Sequence, residues 1–566
     1  MQTGLTSDYR SRSLPTEEAH EEATESCSGF FRVLRVEYAK FFTMATLYFL
    51  IVLAYSILRD TKDVVVIGRM LPASIQYLKS FVVMGATMTF AVFFQYLLAK
   101  GVSLERMMFS FNIGFGVFFV VYAFLLLPNM ERIEPYKYWI NDIFADKKMY
   151  VNGLEFLQGL LLTVNFWTGT LLYTAAELWG NIMTSVMFFA VANEVCPLRQ
   201  ALRFYPLFII GANLGLVSSG SLMVGTSFIL DWYADWTFVI ISALLSFVAV
   251  ICAVNVMLYR HLVKNIIPYP IYIVFESSQK RASKKEKVGF LDGFKIMFKT
   301  PIVFHLSMTV LGYGICTNLT EGAYKSALKM AAAKDKGSGE MTAIMRTQGL
   351  QQINIGGAVI LVLLSPLKTF IQKHGWLSLG LLTPVLTLVA GLAFLLFVWA
   401  NVSVSLTKTE AQANFLLQIG RSIFTGISWQ AFIEGEKWVG FFAVNTIKIL
   451  KYAAFDVGKE AIGVKIPKQY RARFKGVYDG VFGKLGKSFA SGLQIGLSAF
   501  VNSVDIRTAA LALIIGLTSM ASAWTYSTIY LGRKYDEAVR EDRDIQIGEV
   551  PSKAEKAAKA GEVLGQ

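Results

Sequence analysis

The sequence predicts an all-α polytopic membrane protein, and three observations support this fold class. Hydrophobic residues make up 54% of the 566 residues, whereas charged residues make up only 17%. The mean hydropathy is +0.49, well above the range of soluble enzymes. Apolar runs of roughly 20 residues, the length that a helix needs to cross a bilayer, recur along the whole chain. A bundle of membrane-spanning helices accounts for all three.

The apolar runs divide into two groups of six. We predict twelve spans, at 41–67, 80–99, 107–127, 163–194, 204–229, 237–259, 302–328, 350–371, 376–400, 430–456, 480–502 and 508–531. The predicted domains are a disordered cytoplasmic tail (1–38), an N-terminal six-helix half (39–260), a basic cytoplasmic linker (261–300), a C-terminal six-helix half (301–532) and a charged cytoplasmic tail (533–566). This is the plan of a major-facilitator-like transporter, which binds its substrate near the midplane between its halves.

Basic residues predict the orientation of the chain in the membrane. The net charge is +14, and cytoplasmic loops of membrane proteins carry an excess of Lys and Arg. The linker contains Lys280, Arg281 and Lys284, whereas the loop at 231–236 has no basic residue. We therefore expect both termini to be cytoplasmic. A positively lined cavity for an anionic substrate is a second explanation of the excess charge.

The first span contains an unusual cluster of charges. An uncharged apolar run ends at Leu58, four charged residues follow within five positions, and apolar character then resumes at Val64. The four are Arg59, Asp60, Lys62 and Asp63. Either they cap a helix at the lipid headgroups, or they lie inside the span, where ionisable groups mark a substrate or ion pathway.

Charged residues recur inside other spans at matching places in the two halves. They fall on the first, fourth and fifth spans and on the seventh, tenth and eleventh. The lysines among them outnumber the acidic residues that can neutralise them: Lys62, Lys448, Lys451, Lys484 and Lys487. An anionic substrate would supply the missing negative charge, and lysine suits phosphate as a compact point charge. Aromatic rings on the same spans can stack on a nucleobase, although packing is the commoner role of any one ring.

Several short segments, spread over about 38–530, carry a family resemblance. In the first half they are ILRDTKDV (57–64), AELWG (176–180), ANE (192–194), RFYPLF (203–208) and GAN (211–213). In the second half they are EG (321–322), KY (451–452), FD (455–456), KE (459–460), KG (475–476) and LGKS (485–488). With these segments the chain resembles the nucleotide transporters of plastids, intracellular bacteria and intracellular eukaryotic parasites, often called ATP/ADP translocases.

The resemblance implies substrates, a location and site residues. The substrates are ATP and ADP, with other nucleotides or phosphate as further ones. The location is the plasma membrane of an intracellular parasite or bacterium, with an organelle membrane as the alternative. Two lysines and two glutamates act in transport in that family, and they correspond here to Lys62, Glu177, Glu321 and Lys487.

These four residues are also intramembrane charges by position alone. We add six further candidates for substrate binding from the same spans: Lys484, Arg59, Asp60, Asn213, Lys451 and Asp456. Lys62, Lys487 and Lys484 are expected to neutralise phosphates. Glu177 and Glu321 are expected to pair with lysines whenever no substrate is bound.

Two segments of the second half depart from the family pattern. The tenth span reads FDVGKEAIG (455–463), where members usually read FDTTKEMAY or FDPTKEMAY. Phe489 and Ala490 replace the glycine pair that usually follows LGKS. The resemblance therefore leaves open the choice of nucleobase and the choice between exchange and net import.

The expected function is ATP/ADP exchange by alternating access. A nucleotide/proton symporter and a transporter of another organic anion remain as alternatives. An enzyme acting on phosphorylated lipid or sugar would need a metal-binding acid pair or a catalytic histidine, but the DxD-like pattern at 542–544 lies in the charged tail and His305 is isolated. We therefore expect no enzyme activity, metal site, cofactor or nucleic-acid partner. The four cysteines are scattered, and a monomer within the lipid bilayer is sufficient because one chain contains both halves.

Overall fold

Helices make up most of the described part of the chain, as the sequence predicts. The computed structural model describes residues 33, 37–134, 153–196, 198–267, 298, 300–335, 339–365, 367–406, 414–541 and 544–545, and within these ranges it contains helices and their connections but no strand. The predicted tail 1–38 and linker 261–300 lie largely outside the described residues. The prediction of an all-α polytopic membrane protein is confirmed, since ten of the described helices are long and apolar enough to cross a membrane.

Six of these ten helices belong to the N-terminal half. They are α1 (Tyr38–Arg69), α2 (Pro72–Phe94), α3 (Leu104–Ile133), α4 (Trp167–Asn193), α5 (Arg203–Trp232) and α6 (Ala234–Ile266). A short helix, Gln158–Asn165, precedes α4, so the predicted span 163–194 is divided in two. Phe166, with φ −94° and ψ 53°, is the non-helical residue between the two pieces.

The C-terminal half contains the other four and two less apolar helices. They are α7 (Pro301–Lys334), α8 (Glu340–Leu364), α9 (Gly375–Ser405), α10 (Ile433–Leu450), α11 (Gly483–Phe500) and α12 (Ile506–Arg540). Helices α10 and α11 are not among the ten apolar helices. Both correspond to predicted spans that contain charged residues. The arrangement is consistent with twelve spans. Helix α12 extends to Arg540, beyond the predicted boundary at 532.

Helix α1 passes through the charge cluster without a break. It is one continuous helix of 32 residues, and Asp60, Lys62 and Asp63 are among its buried residues. The apolar residues before and after the cluster are buried as well, so both ends of α1 are held by packing. The charges therefore lie inside the helix rather than at its end, which favours the pathway interpretation over the capping one.

The backbones of the two halves approach each other closely between α5 and α8. A Cβ atom added at Gly220 would lie 2.5 Å from the carbonyl oxygen of Gly349, and one added at Gly356 would lie 2.8 Å from that of Asn213. Both positions on each helix are seven residues apart, so they lie on one face. Small residues at such positions let membrane helices approach closely. We call this contact the glycine seam.

Candidate functional site: a lysine-lined cavity between the halves

A cavity of about 380 Å³ lies between the two halves. Its walls come from α1, α2 and α4 on one side and from α7, α10 and α11, with the turn before α11, on the other. Five of these six helices are ones for which the sequence predicts intramembrane charge. The exception is α2, for which the sequence predicts no intramembrane charge. Conversely, α5 carries predicted charge but contributes no residue to the described lining.

The lining has an excess of positive charge. Among the described side chains it contains seven cations, Arg59, Lys62, Lys79, Lys325, Lys448, Lys451 and Lys487. It contains three carboxylates, Asp63, Glu177 and Glu321. All three carboxylates form ion pairs with lysines of the same lining. An anion that enters the cavity therefore meets cations that the protein itself does not fully neutralise.

Lys62 lies at the centre of the first ion-pair group. Its Nζ lies 3.0 Å from Glu177 Oε1 on α4 and 3.0 Å from Asp63 Oδ1. It also lies 3.7 Å from the centroid of the Tyr173 ring, which adds a cation–π contact. The other oxygen of Asp63, Oδ2, accepts a hydrogen bond of 2.7 Å from Lys325 Nζ on α7. Two lysines, one from each half, thus share one carboxylate.

Glu321 lies at the centre of the second group. Its Oε1 lies 3.0 Å from Lys448 Nζ on α10, and its Oε2 lies 3.9 Å from Lys79 Nζ on α2. Lys79 also donates a hydrogen bond of 3.1 Å to Asn318 Oδ1. Glu321 and Lys325 are one turn apart on α7, so this helix presents both charged groups to the cavity.

Lys487 differs from these lysines because its side chain is exposed in the cavity. It forms no recorded ion pair within the described part of the chain, and Ser488 lies beside it in the lining. An ammonium group in this setting is available to a phosphate. Lys484 lies on the same helix, but its side chain is outside those that the structure describes.

π-helical turns position several lining residues. Such turns interrupt α2 at Leu78–Val83 and α4 at Gly180–Met187, continue α10 at Lys451–Phe455, and precede α11 at Gly476–Phe482. Each of the four carries at least one residue of the cavity lining. A π turn widens the helix by one residue, and such turns occur frequently at functional sites.

Comparisons with known proteins identify the family. The family model "TLC ATP/ADP transporter" matches residues 16–535. The chain belongs to this family. The "ADP,ATP carrier protein 1" of Paranosema grylli is 33% identical over 541 residues, which cover 94% of this chain and 95% of the relative. The "ADP,ATP carrier protein 1" of Chlamydia pneumoniae is 27% identical, covering 91% of this chain and 95% of the relative.

Among solved structures, this chain is similar to that of the nucleoside transporter NupG. It has 12% sequence identity to this chain and a TM-score of 0.47, and the match covers 86% of this chain and 99% of NupG.

Most of the predicted site residues of this TLC-family chain meet in the cavity. Six of the ten line it: Arg59, Lys62, Glu177, Glu321, Lys451 and Lys487. Two others lie behind the lining as ion-pair partners. Asp60 Oδ1 lies 3.7 Å from Arg59 Nε and accepts a hydrogen bond of 2.8 Å from Gln352, and Asp456 Oδ2 lies 3.4 Å from Lys451 Nζ.

Asn213 lies outside the cavity lining. Its Nδ2 donates a hydrogen bond to the carbonyl oxygen of Ile209 one turn earlier on α5, and its own carbonyl oxygen faces Gly356 at the glycine seam. Its place in the structure is at the contact between the halves, so the prediction that Asn213 binds substrate gains no support from the geometry.

Three lysines of the lining were not among the predicted site residues. Lys325 and Lys448 lie within the seventh and tenth spans, but no segment of the family resemblance singles them out. Lys79 precedes the predicted second span, 80–99, so it has the position of a loop residue in the sequence. Helix α2 begins at Pro72, however, and this places Lys79 in the second turn of a membrane helix.

An apolar wall faces part of the cavity. It is formed by α2 residues at helical spacing, Val83, Met84, Met88 and Ala91, while Tyr55, Tyr313 and Tyr452 contribute rings elsewhere in the lining. The cavity thus has a cationic part for phosphates and an apolar, aromatic part on which a flat base can rest.

Proposed function

We propose that this TLC-family protein exchanges ATP for ADP across a membrane by alternating access. The observation that carries the proposal is the cavity between the halves, with seven cations against three carboxylates in its lining. Nucleotides are large anions with a flat apolar base, and the lining offers a surface for each part. The family of the chain and the names of its relatives support the same substrates.

The proposed roles concern five of the ten candidate residues and three further lysines of the lining. Lys62, Lys487 and Lys484 neutralise phosphates, and Lys79, Lys325 and Lys448 join them. Glu177 and Glu321 hold lysines in place between substrates, and the distances of 3.0 Å to Lys62 and Lys448 support this role. Phosphate and other nucleotides are further proposed substrates, because the cationic lining recognises phosphoryl groups rather than a base.

The proposed setting follows from charge and from the relatives. Both termini are cytoplasmic, because the basic loops then lie inside. The membrane is the plasma membrane of an intracellular parasite or bacterium, as the presence of relatives in Chlamydia and Paranosema supports. A monomer suffices, because the cavity lies within one chain.

The alternative of an enzyme finds little support around His305. Its ring stacks on Tyr530 at a centroid distance of 4.0 Å, and its Nδ1 lies 3.1 Å from Ser527 Oγ. This histidine is engaged by α12 and is absent from the cavity lining. Of the 542–544 pattern, Asp542 and Arg543 lie outside the described residues.

Uptake of labelled ATP into proteoliposomes tests the proposal. Vesicles are loaded with ADP or left without nucleotide, and no ion gradient is imposed. We expect uptake into the loaded vesicles only. Equal uptake into unloaded vesicles would contradict exchange, and stimulation of that uptake by a pH gradient would establish the symporter alternative. Failure to take up ATP, ADP or phosphate under any condition would overturn the nucleotide assignment.

A further inference from the structure

Asp63 pairs with one lysine from each half of the protein. Its carboxylate accepts Lys62 of its own half at 3.0 Å on one oxygen and Lys325 of the other half at 2.7 Å on the second oxygen. The side chains of Lys62, Asp63 and Lys325 are 3%, 9% and 7% exposed, so water contributes little to their solvation. All three nevertheless line the cavity, where a substrate can reach them.

A second lysine continues the contact between α1 and α7. Lys329, one turn after Lys325, donates hydrogen bonds of 2.5 and 2.6 Å to the carbonyl oxygens of Ile67 and Met70 at the end of α1. These carbonyls lack intrahelical partners and carry the negative end of the helix dipole, which suits an ammonium group. Two lysines of α7 therefore tie α7 to α1.

The α1–α7 contact differs in kind from the glycine seam between α5 and α8. At the seam the two backbones touch, and no group there can be exchanged for a ligand. At Asp63 and Lys325 the contact is an ion pair, and a phosphate oxygen can take the place of the carboxylate. Of these two contacts between the halves, the ion pair is thus the one that a nucleotide can change directly.

Substrate entry would lower the energetic cost of separating Asp63 from Lys325. Without a nucleotide, Asp63 neutralises two buried lysines, and separating the halves would leave Lys325 unpaired at a high energetic cost. With a nucleotide, its phosphates pair with Lys62 and Lys325 and repel the carboxylate of Asp63. The same separation then costs less, because Lys325 keeps an anionic partner. A ligand shifts an equilibrium only by such a difference in interaction between two states.

We propose that the Asp63–Lys325 pair prevents the carrier from switching when it holds no nucleotide, and that substrate phosphates release it. Asp63 is a positioning residue in this scheme, and the pair is the device that makes exchange obligatory. The inference rests on the proposed function, since it explains coupling in an exchanger.

The variant Asp63→Asn tests the pair. Asparagine has the same shape but no charge, so Lys325 loses its anionic partner across the interface while Lys62 keeps Glu177. We expect ATP uptake into vesicles without ADP to appear. The ratio of uptake with ADP to uptake without it should fall at least about tenfold, which corresponds to roughly 1.4 kcal/mol.

Asp231→Asn is the matched control. It removes another ion pair between the halves, the one between Asp231 on α5 and Arg346 on α8, and neither residue lines the cavity. Because no nucleotide touches this pair, its loss acts equally on loaded and unloaded carrier. The ratio should therefore keep its wild-type value.

A second measurement separates coupling from folding. ATP should still raise the melting temperature of the purified Asp63→Asn protein, because the lysines remain. If this variant does not fold, Lys325→Gln removes the same pair from the other side, and it should show the same ADP-independent uptake at a raised KM.

Several outcomes would overturn the inference. One is a folded Asp63→Asn protein that transports and still requires ADP. Another is a folded variant that binds ATP and transports nothing, since Asp63 would then be needed for movement itself. A third is Asp231→Asn losing ADP dependence to the same extent. Failure of the wild-type protein to transport nucleotides would instead overturn the proposed function.

Discussion

Lys62 makes three different contacts, and together they fix its ammonium group in the cavity wall. Glu177 and Asp63 accept from it, and the Tyr173 ring lies against it. A buried lysine with two carboxylates and one ring has few alternative positions. The sequence shows that Lys62 is a charge within a span. Its contacts with Glu177 and Tyr173 also require α1 and α4 to lie side by side.

Replacing Lys62 with alanine should abolish ATP uptake. A hydrogen bond to a charged group contributes about 1.5–3 kcal/mol, so the loss of one phosphate partner alone lowers transport roughly 10- to 100-fold. Glu177 also loses its lysine at 3.0 Å. The measurement is exchange uptake at equal amounts of protein in the membrane.

Lys534→Ala provides the control for Lys62→Ala. Lys534 lies near the end of α12, pairs with Glu537 at 2.9 Å, and is absent from the cavity lining. Its loss should leave uptake unchanged. Near-normal uptake by Lys62→Ala would refute the role of Lys62, and equal losses in both variants would point to a general effect of removing a lysine.

At the scale of helices, hydropathy and charge predicted much of the fold and of the site. The spans of α1 and α7 and the membrane depth of Lys62, Glu177 and Glu321 follow from apolar runs with charges inside them. Lys79 could not be placed, because a hydropathy pattern does not show that α2 starts at Pro72. The π turns could not be predicted either, because one extra residue in a helical turn does not change the hydropathy pattern of an apolar segment.

Pairings between helices were the other part that the sequence could not supply. Lysines on several spans could pair with Asp63 as far as the sequence shows. The packing of α1 near α7 is what brings Lys325 to it. Asn213 is the converse case, a residue that the sequence analysis assigned to the site and that the packing places elsewhere. As a polar residue in a span it is a reasonable site candidate, yet its backbone carbonyl lies at the glycine seam and its side-chain amide donates to Ile209 of the same helix.

The glycine seam yields a prediction for α5 and α8. Gly220→Ala should lower both the melting temperature and exchange uptake, because its new Cβ would lie 2.5 Å from the carbonyl oxygen of Gly349. Overpacking of this kind costs about 1–3 kcal/mol, and separation of the helices would disturb the contact between the halves. Thermal unfolding and uptake are measured on the same preparation.

Gly225→Ala on the same helix is the comparison for Gly220→Ala. A Cβ at Gly225 would have no neighbour within 4 Å, so this variant should behave as the wild type or be slightly more stable. Equal behaviour of the two variants would show that close approach at Gly220 does not matter for function.

At the scale of the whole molecule, the cavity charge predicts the form in which nucleotides are carried. Mg²⁺ prefers oxygen ligands, usually one or two carboxylates with phosphates and waters. The three carboxylates of the lining are already paired with lysines, and the seven cations repel a further one. The cavity is therefore suited to nucleotides that carry no metal ion.

Removal of magnesium should accordingly leave exchange intact. We expect uptake at a fixed total ATP concentration to persist in EDTA and to fall as MgCl₂ is added, in proportion to metal-free ATP. Ionic strength is held constant with KCl, because salt alone weakens the attraction of exposed charges. A requirement for Mg²⁺ would show that the metal complex is the species carried.

The cationic lining also bears on the electrical state of the surrounding membrane. A passage wide enough for a nucleotide is far wider than a potassium ion or a hydrated proton, and a momentary gap in such a carrier would drain the voltage. Rings of basic side chains in pores favour anions and exclude cations. Lys62, Lys79 and Lys325 lie on the wall of the cavity. The side chains that attract the nucleotide therefore also repel small cations, and this repulsion opposes their leakage through the carrier.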